Sequence, residues 1–202
     1  MYKTVIFDLG KVIVPFDFQR GYAAMETHCG LTTADIRERI RQTGLVGPFE
    51  SGEIEPEDFV ARLTKALGLS MPYNQFCEMW NVIFLPETLV DEQLLEGLKK
   101  RYRLLLLSNT NAIHFEMIRE RYGILRHFDE YVLSYKVGAM KPSPRIYAAA
   151  VDKAQCEPHE CFFTDDIPEY VEGARQSGID AVQFQSAAQL KDELRTRGIE
   201  WE

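Results

Sequence analysis

Four short polar stretches hold the side chains with the most chemistry in this chain: Asp8-Leu9-Gly10, Ser108-Asn109-Thr110, Lys141, and Asp165-Asp166. Asp8, Ser108 and Asp165 each close an apolar run, and Lys141 follows another by a few residues. A carboxylate such as Asp8 can act as a nucleophile, as a metal ligand, or as both. Taken singly, each stretch also has a plain structural use. Asp8 can cap a turn, Ser108-Asn109-Thr110 and Asp165-Asp166 can form turns or N-caps, and a lysine is usually solvated.

Their common placement is what counts. In an open parallel sheet the carboxyl ends of the strands share one edge, where ligands bind, so groups distant in sequence converge there. Two or three carboxylates at one edge repel one another unless a cation sits among them. Oxygen ligands alone favour magnesium, which commonly accompanies phosphate oxygens. Lys141 and the Ser108 hydroxyl would neutralise and hydrogen-bond the remaining phosphate oxygens. The set reads as a phosphoryl-transfer site in which Asp8 is free to attack phosphorus.

The elements that must position these groups follow from periodicity. Thr4–Phe7 is apolar and β-branched, as a strand buried on both faces should be. Pro15 ends the opening segment, and from Phe16 to about Phe84 the pattern is helical. Phe18, Tyr22 and Met25 form one stripe, and Thr32 to Asp35 resembles a capping box for a helix through about Gln42. A helix over Pro56–Ala66 carries Phe59, Val60, Leu63 and Leu67, with Gly68 as its stop. Pro72–Phe84 repeats the pattern.

From Asp91 onward, helices alternate with strands at Arg103–Leu107, Tyr131–Ser134, Cys161–Thr164 and Ala181–Phe184. The helices are expected at Asp91–Tyr102, Ile113–Tyr122, Arg145–Lys153, Pro168 to Gly178, and Ala187–Arg197. This predicts an α/β fold, a Rossmann-like doubly wound parallel sheet with an inserted α-helical cap. The core would take residues 1–14 and 87–202, and the cap residues 15–86.

At 202 residues, 46% apolar and 27% charged, the chain can build a proper core. A net charge of −8 argues against a nucleic-acid partner. Cys29, Cys77, Cys156 and Cys161 form no CxxC pair and read as reduced thiols. There is no charged leader followed by an apolar signal core, and no run long enough to span a bilayer. A cytoplasmic protein without a membrane partner is expected.

The residues quoted above resemble the motifs of the haloacid dehalogenase-like hydrolase superfamily, in the subgroup with a helical cap inserted after the first motif. Phe7-Asp8-Leu9-Gly10 is similar to the first motif, Leu107-Ser108-Asn109 to the second, Lys141-Pro142 to the third, and Phe163-Thr164-Asp165-Asp166 to the fourth. Phe49-Glu50-Ser51-Gly52-Glu53-Ile54 is similar to the cap loop that faces the site. The Asp-Leu-Gly form of the first motif is shared with sugar-phosphate phosphatases of the α-glucose-1-phosphate type.

The resemblance implies that Asp8 is the nucleophile and forms an aspartyl-phosphate. Magnesium would be held by Asp8, the Gly10 carbonyl and Asp165, with Asp166 nearby. Ser108 and the Asn109 backbone would bind the phosphoryl group, and Lys141 would orient Asp8 and offset charge. The substrate would be a small phosphate monoester, a sugar phosphate.

Two positions depart from the pattern. Most phosphatases of the superfamily carry a second Asp, the general acid/base, where this chain has Gly10, and Tyr170 stands where many relatives have Asp or Asn. Three readings follow: a phosphatase using another acid or water, a catalytically impaired phosphate- or metabolite-binding relative, or a metal-independent 2-haloacid dehalogenase. The acidic pair Asp165-Asp166 favours magnesium over dehalogenation. Glu50 or Glu53, on the cap, could supply the missing proton.

Overall fold

Strand β1, Thr4–Phe7, is the axis of a five-stranded sheet. The remaining strands are β2 (Arg103–Ser108), β3 (Glu130–Leu133), β4 (Cys161–Asp165) and β5 (Asp180–Gln183). The computed structural model describes all 202 residues and orders the strands β3-β2-β1-β4-β5, every neighbouring pair parallel. From β1 the chain builds β2 and β3 on one side, then crosses to build β4 and β5 on the other. That reversal opens a crevice at the carboxyl end of β1.

Between β1 and β2 lie α1 (Phe18–Glu26), α2 (Thr33–Thr43), α3 (Val46–Glu50), α4 (Pro56–Leu67), α5 (Tyr73–Asn81) and α6 (Glu92–Lys99). Helix α7 (Ala112–Arg121) joins β2 to β3, and α8 (Ser134–Val137) and α9 (Pro144–Ala154) join β3 to β4. Helix α10 (Pro168–Gln176) joins β4 to β5, and α11 (Ala187–Thr196) follows β5.

Alternate residues of the central strands serve opposite layers, as the two-residue period requires. Val5, Phe7, Leu104, Leu106 and Phe162 pack with Leu94, Leu98, Phe115, Ile118, Leu190 and Leu194. Ile6, Leu105, Leu107 and Phe163 pack with Ile146, Tyr147, Ala150, Val171 and Ala174. Burial on both faces accounts for unbroken apolar runs where a half-exposed strand would alternate. Helices α1 to α5 enclose a core of their own around Met25, Ile36, Phe59, Leu63 and Phe76, which is the inserted cap.

The two chain segments that enter and leave the cap run side by side. Leu85 N donates to Pro15 O (3.0 Å), Asp17 N to Ile83 O (2.8 Å) and Leu89 N to Ile13 O (2.9 Å), and Phe16 pairs antiparallel with Phe84. Thr32 and Asp35 form the expected capping box, and Gly68 ends α4 at φ +69°.

Two local expectations change. The cap has a fifth helix, α3, where the resemblance implied a cap loop over 49–54; Pro48 falls in the first turn, where its missing N–H removes no helical bond. Phe49 holds α3 in place by stacking on Phe59, ring centroids 4.0 Å apart. The segment 49–54 is therefore the end of a helix and the turn after it. Ser134 is not the last residue of a strand but the first of α8, because its buried hydroxyl bonds back to the Thr110 backbone.

Candidate active site

Register brings the strand-end groups together. Phe7 pairs with Leu106 on one side and Thr164 on the other, so the next residue, Asp8, emerges beside Leu107 and Asp165. Asp8 N donates to Thr164 O (3.0 Å), which holds this exit geometry. Ser108 ends β2 one residue further along and is buried. Carboxylate oxygens of Asp8, Asp165 and Asp166 lie within 4.8 Å of one another.

Lys141 arrives from the loop between α8 and α9. Its ammonium is buried and donates to Asp8 Oδ1 (2.6 Å), Asp165 Oδ2 (2.5 Å) and Leu107 O (3.0 Å). Three donors meeting three acceptors satisfy a buried charge that would otherwise be costly. Asn109 clasps the same loop: its Oδ1 accepts from Lys141 N (2.7 Å) and its Nδ2 donates to Lys141 O (3.0 Å). Asn109 Nδ2 also reaches Tyr170 Oη (3.3 Å), and the Lys141 ammonium lies 5.2 Å from the centre of the Tyr170 ring. Tyr147 Oη donates to Tyr170 O (2.7 Å), anchoring that residue from behind.

Burial and like charge shift the proton affinities within the cluster. Burial pushes the Asp8 carboxyl up to about 7, opposed by Lys141 and reinforced by Asp165. Burial, then Asp165, also raises Asp166. Lys141 is held above its ordinary range although burial opposes its charge, because Asp8 and Asp165 outweigh that burial. Two carboxylates share the Lys141 ammonium, a third, Asp166, lies beside them, and all the donor atoms are oxygens. That donor set suits a hard divalent cation, which would supply the missing positive charge.

Above this floor lies a cavity lined by Leu9, Gly10, Glu50, Ser108, Asn109 and His114, among others. It adjoins a chamber of about 140 Å³ inside the cap; Phe18, Glu50, Ile83 and His114 line both. Of the two cap carboxylates singled out in the sequence, the structure brings Glu50 to the site. Glu53 is exposed and accepts a hydrogen bond from Ser51 Oγ (2.8 Å). Burial pushes the Glu50 carboxyl up to about 7.

Where a side chain at position 10 would point, Phe16 stands: a Cβ on Gly10 would lie 2.8 Å from Phe16 Cε1. Periodicity marked Asp8, Ser108, Lys141, Asp165 and Asp166. It did not mark Phe16, His114 or the Tyr170 contact, because these depend on how the cap and α10 seat on the sheet.

An Asp at the end of the central strand, a buried Lys bridging it to a second Asp, and a helical cap inserted after the first strand define one class of hydrolase. The chain matches the haloacid dehalogenase-like hydrolase model over residues 2–178 and belongs to that family.

It is 29% identical over 201 residues to the D-ribitol-5-phosphate phosphatase of Bacteroides thetaiotaomicron, covering 96% of this chain and 97% of that protein. A Mycobacterium tuberculosis phosphatase is 26% identical over 196 residues, covering 94% and 90%. Among solved structures, a haloacid dehalogenase family enzyme of B. thetaiotaomicron, in complex with magnesium and inorganic phosphate, superposes with a TM-score of 0.83. It is 26% identical, and the match covers 92% of this chain and 96% of that one. No helix of this chain is long and apolar enough to cross a membrane.

Proposed function

We propose that this hydrolase is a magnesium-dependent phosphatase acting on a small phosphate monoester, a sugar phosphate, through an aspartyl-phosphate on Asp8. The observation that carries the reading is the buried Lys141 ammonium between Asp8 and Asp165, with Asp166 beside them. Such a cluster is poised for an anion and a cation together. The phosphatase relatives and the neighbour crystallised with magnesium and phosphate support the same reading.

Asp8, Asp165, Asp166 and the Gly10 carbonyl would hold magnesium, which when bound neutralises phosphate charge. Lys141 fixes the Asp8 carboxylate by donating to Oδ1, leaving the other oxygen for attack on phosphorus. The Ser108 hydroxyl and the Asn109 backbone amide would donate to phosphoryl oxygens, since the Asn109 side chain is committed to Lys141. Glu50 faces the substrate's leaving group from the cap. Residues 15–86 would close over the site on the paired segments at Pro15–Asp17 and Ile83–Leu85, excluding water.

The two other readings lack such support. A metal-free haloacid dehalogenase has no use for a third carboxylate, Asp166, beside the Asp8–Lys141–Asp165 bridge. A binder that has lost turnover would need no unpaired carboxyl in the cavity, yet Glu50 lines it without a partner.

The test is phosphate release from p-nitrophenyl phosphate and a panel of sugar and polyol phosphates, with magnesium and with chelator. Release that requires magnesium and is abolished in Asp8→Asn is the expected result. Binding of esters without release across the panel, or halide release from a haloacid in chelator, would overturn it.

A further inference from the structure

The second carboxylate that phosphate-ester cleavage calls for is absent from position 10, and it cannot simply be restored there. Phe16 fills the space, hemmed by Phe18 and Phe84 at ring-centroid distances of 5.0 and 6.0 Å. An alkoxide leaving group still needs a proton, a contribution of about 10²–10⁴-fold in rate.

The cavity over Ser108 and Asn109 contains few groups able to give one. The His114 ring is spent: Nδ1 lies 3.1 Å from Asn111 Nδ2, Nε2 lies 3.4 Å from Trp80 O, and burial holds its pKa down to about 4. Tyr170 Oη is engaged with Asn109 and its pKa is raised by burial. Asp166 belongs to the carboxylate cluster. Ser108 and Thr110 are hydroxyls, too weak as acids.

Glu50 remains. It lies at the junction of the site cavity and the cap chamber, among Phe18, Met25, Ile40, Val46, Trp80 and Ile83. Burial alone acts on its carboxyl, with no hydrogen-bonding or charged partner. A carboxyl in an apolar wall keeps its proton near neutral pH, as general acids require. Its position is also built. The turn after α3 is pressed onto α8, where a Cβ on Gly52 would lie 2.0 Å from Tyr135 O. A helix held at that point by the catalytic domain carries its last residue, Glu50, into the cavity that Ser108 and Asn109 also line.

We infer that Glu50 is the general acid/base of this enzyme, delivered by the cap in place of the carboxylate missing at position 10. The inference rests on the phosphatase reading given above. In the first step an Asp8 carboxylate oxygen bonds to phosphorus while the bond from phosphorus to the leaving oxygen breaks. That oxygen takes the Glu50 proton and departs as the alcohol, leaving Glu50 ionised. In the second step a water oxygen bonds to phosphorus, Glu50 takes the water proton, and the bond between Asp8 and phosphorus breaks. Inorganic phosphate departs and both carboxyls return to their starting states.

Glu50→Gln keeps the side chain's shape and removes its proton, and two leaving groups separate the roles. With p-nitrophenyl phosphate the nitrophenolate needs no acid. The variant should therefore release one equivalent per site in a burst at the wild-type rate, followed by a steady state at least tenfold slower. With an alkyl monoester that the wild type hydrolyses, kcat should fall about a hundredfold or more with little change in KM.

A wild-type-like burst also shows that the variant is folded. Alkyl turnover within threefold of wild type would overturn the assignment. So would a burst slowed as much as the steady state, since that is the mark of a positioning residue. If the wild type itself releases no phosphate from any ester with magnesium, the phosphatase reading fails first.

Discussion

The Phe16 ring occupies the volume into which a side chain at Gly10 would project, with Cε1 2.8 Å from the Cβ position. A Gly10→Asp substitution must therefore displace an aromatic ring already packed against Phe18 and Phe84. We expect it to destabilise the protein by about 1–3 kcal/mol, as overpacking does, without raising turnover. Adding Phe16→Ala should recover part of the loss and make the pair less than additive. Thermal unfolding of the two single variants and the double variant checks this. Full additivity would show that the ring is not the obstacle.

Lys141 is the only cation in contact with the Asp8–Asp165 pair, and its side chain is 1% exposed. Lys141→Met leaves two buried carboxylates unpaired, a change typically worth about 3–5 kcal/mol. Turnover should be lost as well. Asp8→Asn in the same background should relieve part of the instability while remaining inactive. A denaturant-based double-mutant cycle measures the coupling, and a cycle that closes at zero would contradict the contact.

Much of this arrangement was legible in the sequence for a physical reason. Strand ends in a parallel sheet are fixed by register, so Asp8, Ser108 and Asp165 could be placed together before any side chain was seen. Lys141 was legible as a residue following a strand and by its likeness to the third motif; its burial between two carboxylates depends on the Asn109 clasp.

What periodicity could not carry was the seating of the cap. Helix α3 has a single turn's worth of pattern, and Gly47-Pro48 hides it. The choice between Glu50 and Glu53 turns on where α3 ends and on Gly52 at φ +75°, which sends the chain away from the site. Tyr170 is set by the packing of α10, to which no local pattern points.

Gly52 gives a test of cap seating that touches no reacting group. Its left-handed φ and its approach to the Tyr135 carbonyl both exclude a Cβ. Gly52→Ala should lift the turn after α3 from α8 and displace Glu50. A misplacement of about 1 Å is worth up to roughly 10²-fold in rate. We expect kcat on alkyl esters to drop at least tenfold while the p-nitrophenyl burst survives. Unchanged kinetics would mean that the turn does not position Glu50.

The Glu50 carboxyl also predicts a pH dependence of stability. Its folded pKa of about 7 lies above the ordinary glutamate value of 4.5, so between these values the native state binds more protons than the unfolded state. Stability from this group is therefore intact below about pH 4.5 and is lost as pH rises through 7. The groups beside it are Tyr22 on α1, His114 on α7, whose pKa burial lowers to about 4, and Tyr170 on α10, whose pKa burial raises. Glu50→Gln should remove the loss and stabilise the protein at pH 8 more than at pH 5, by up to about 3 kcal/mol, seen as a larger rise in melting temperature at pH 8. Calorimetry at the two pH values decides it, and equal shifts at both would contradict the buried, unpartnered carboxyl.

The central claim is that Asp8 becomes covalently phosphorylated. Rapid acid quench during turnover, borohydride reduction and mass spectrometry of the peptide containing residues 4–10 test it directly. Conversion of Asp8 to homoserine that requires both ester and magnesium, and that disappears in Asp8→Asn, is the expected result. Steady phosphate release with Asp8 unmodified, or with the acyl-phosphate on another residue, would contradict it.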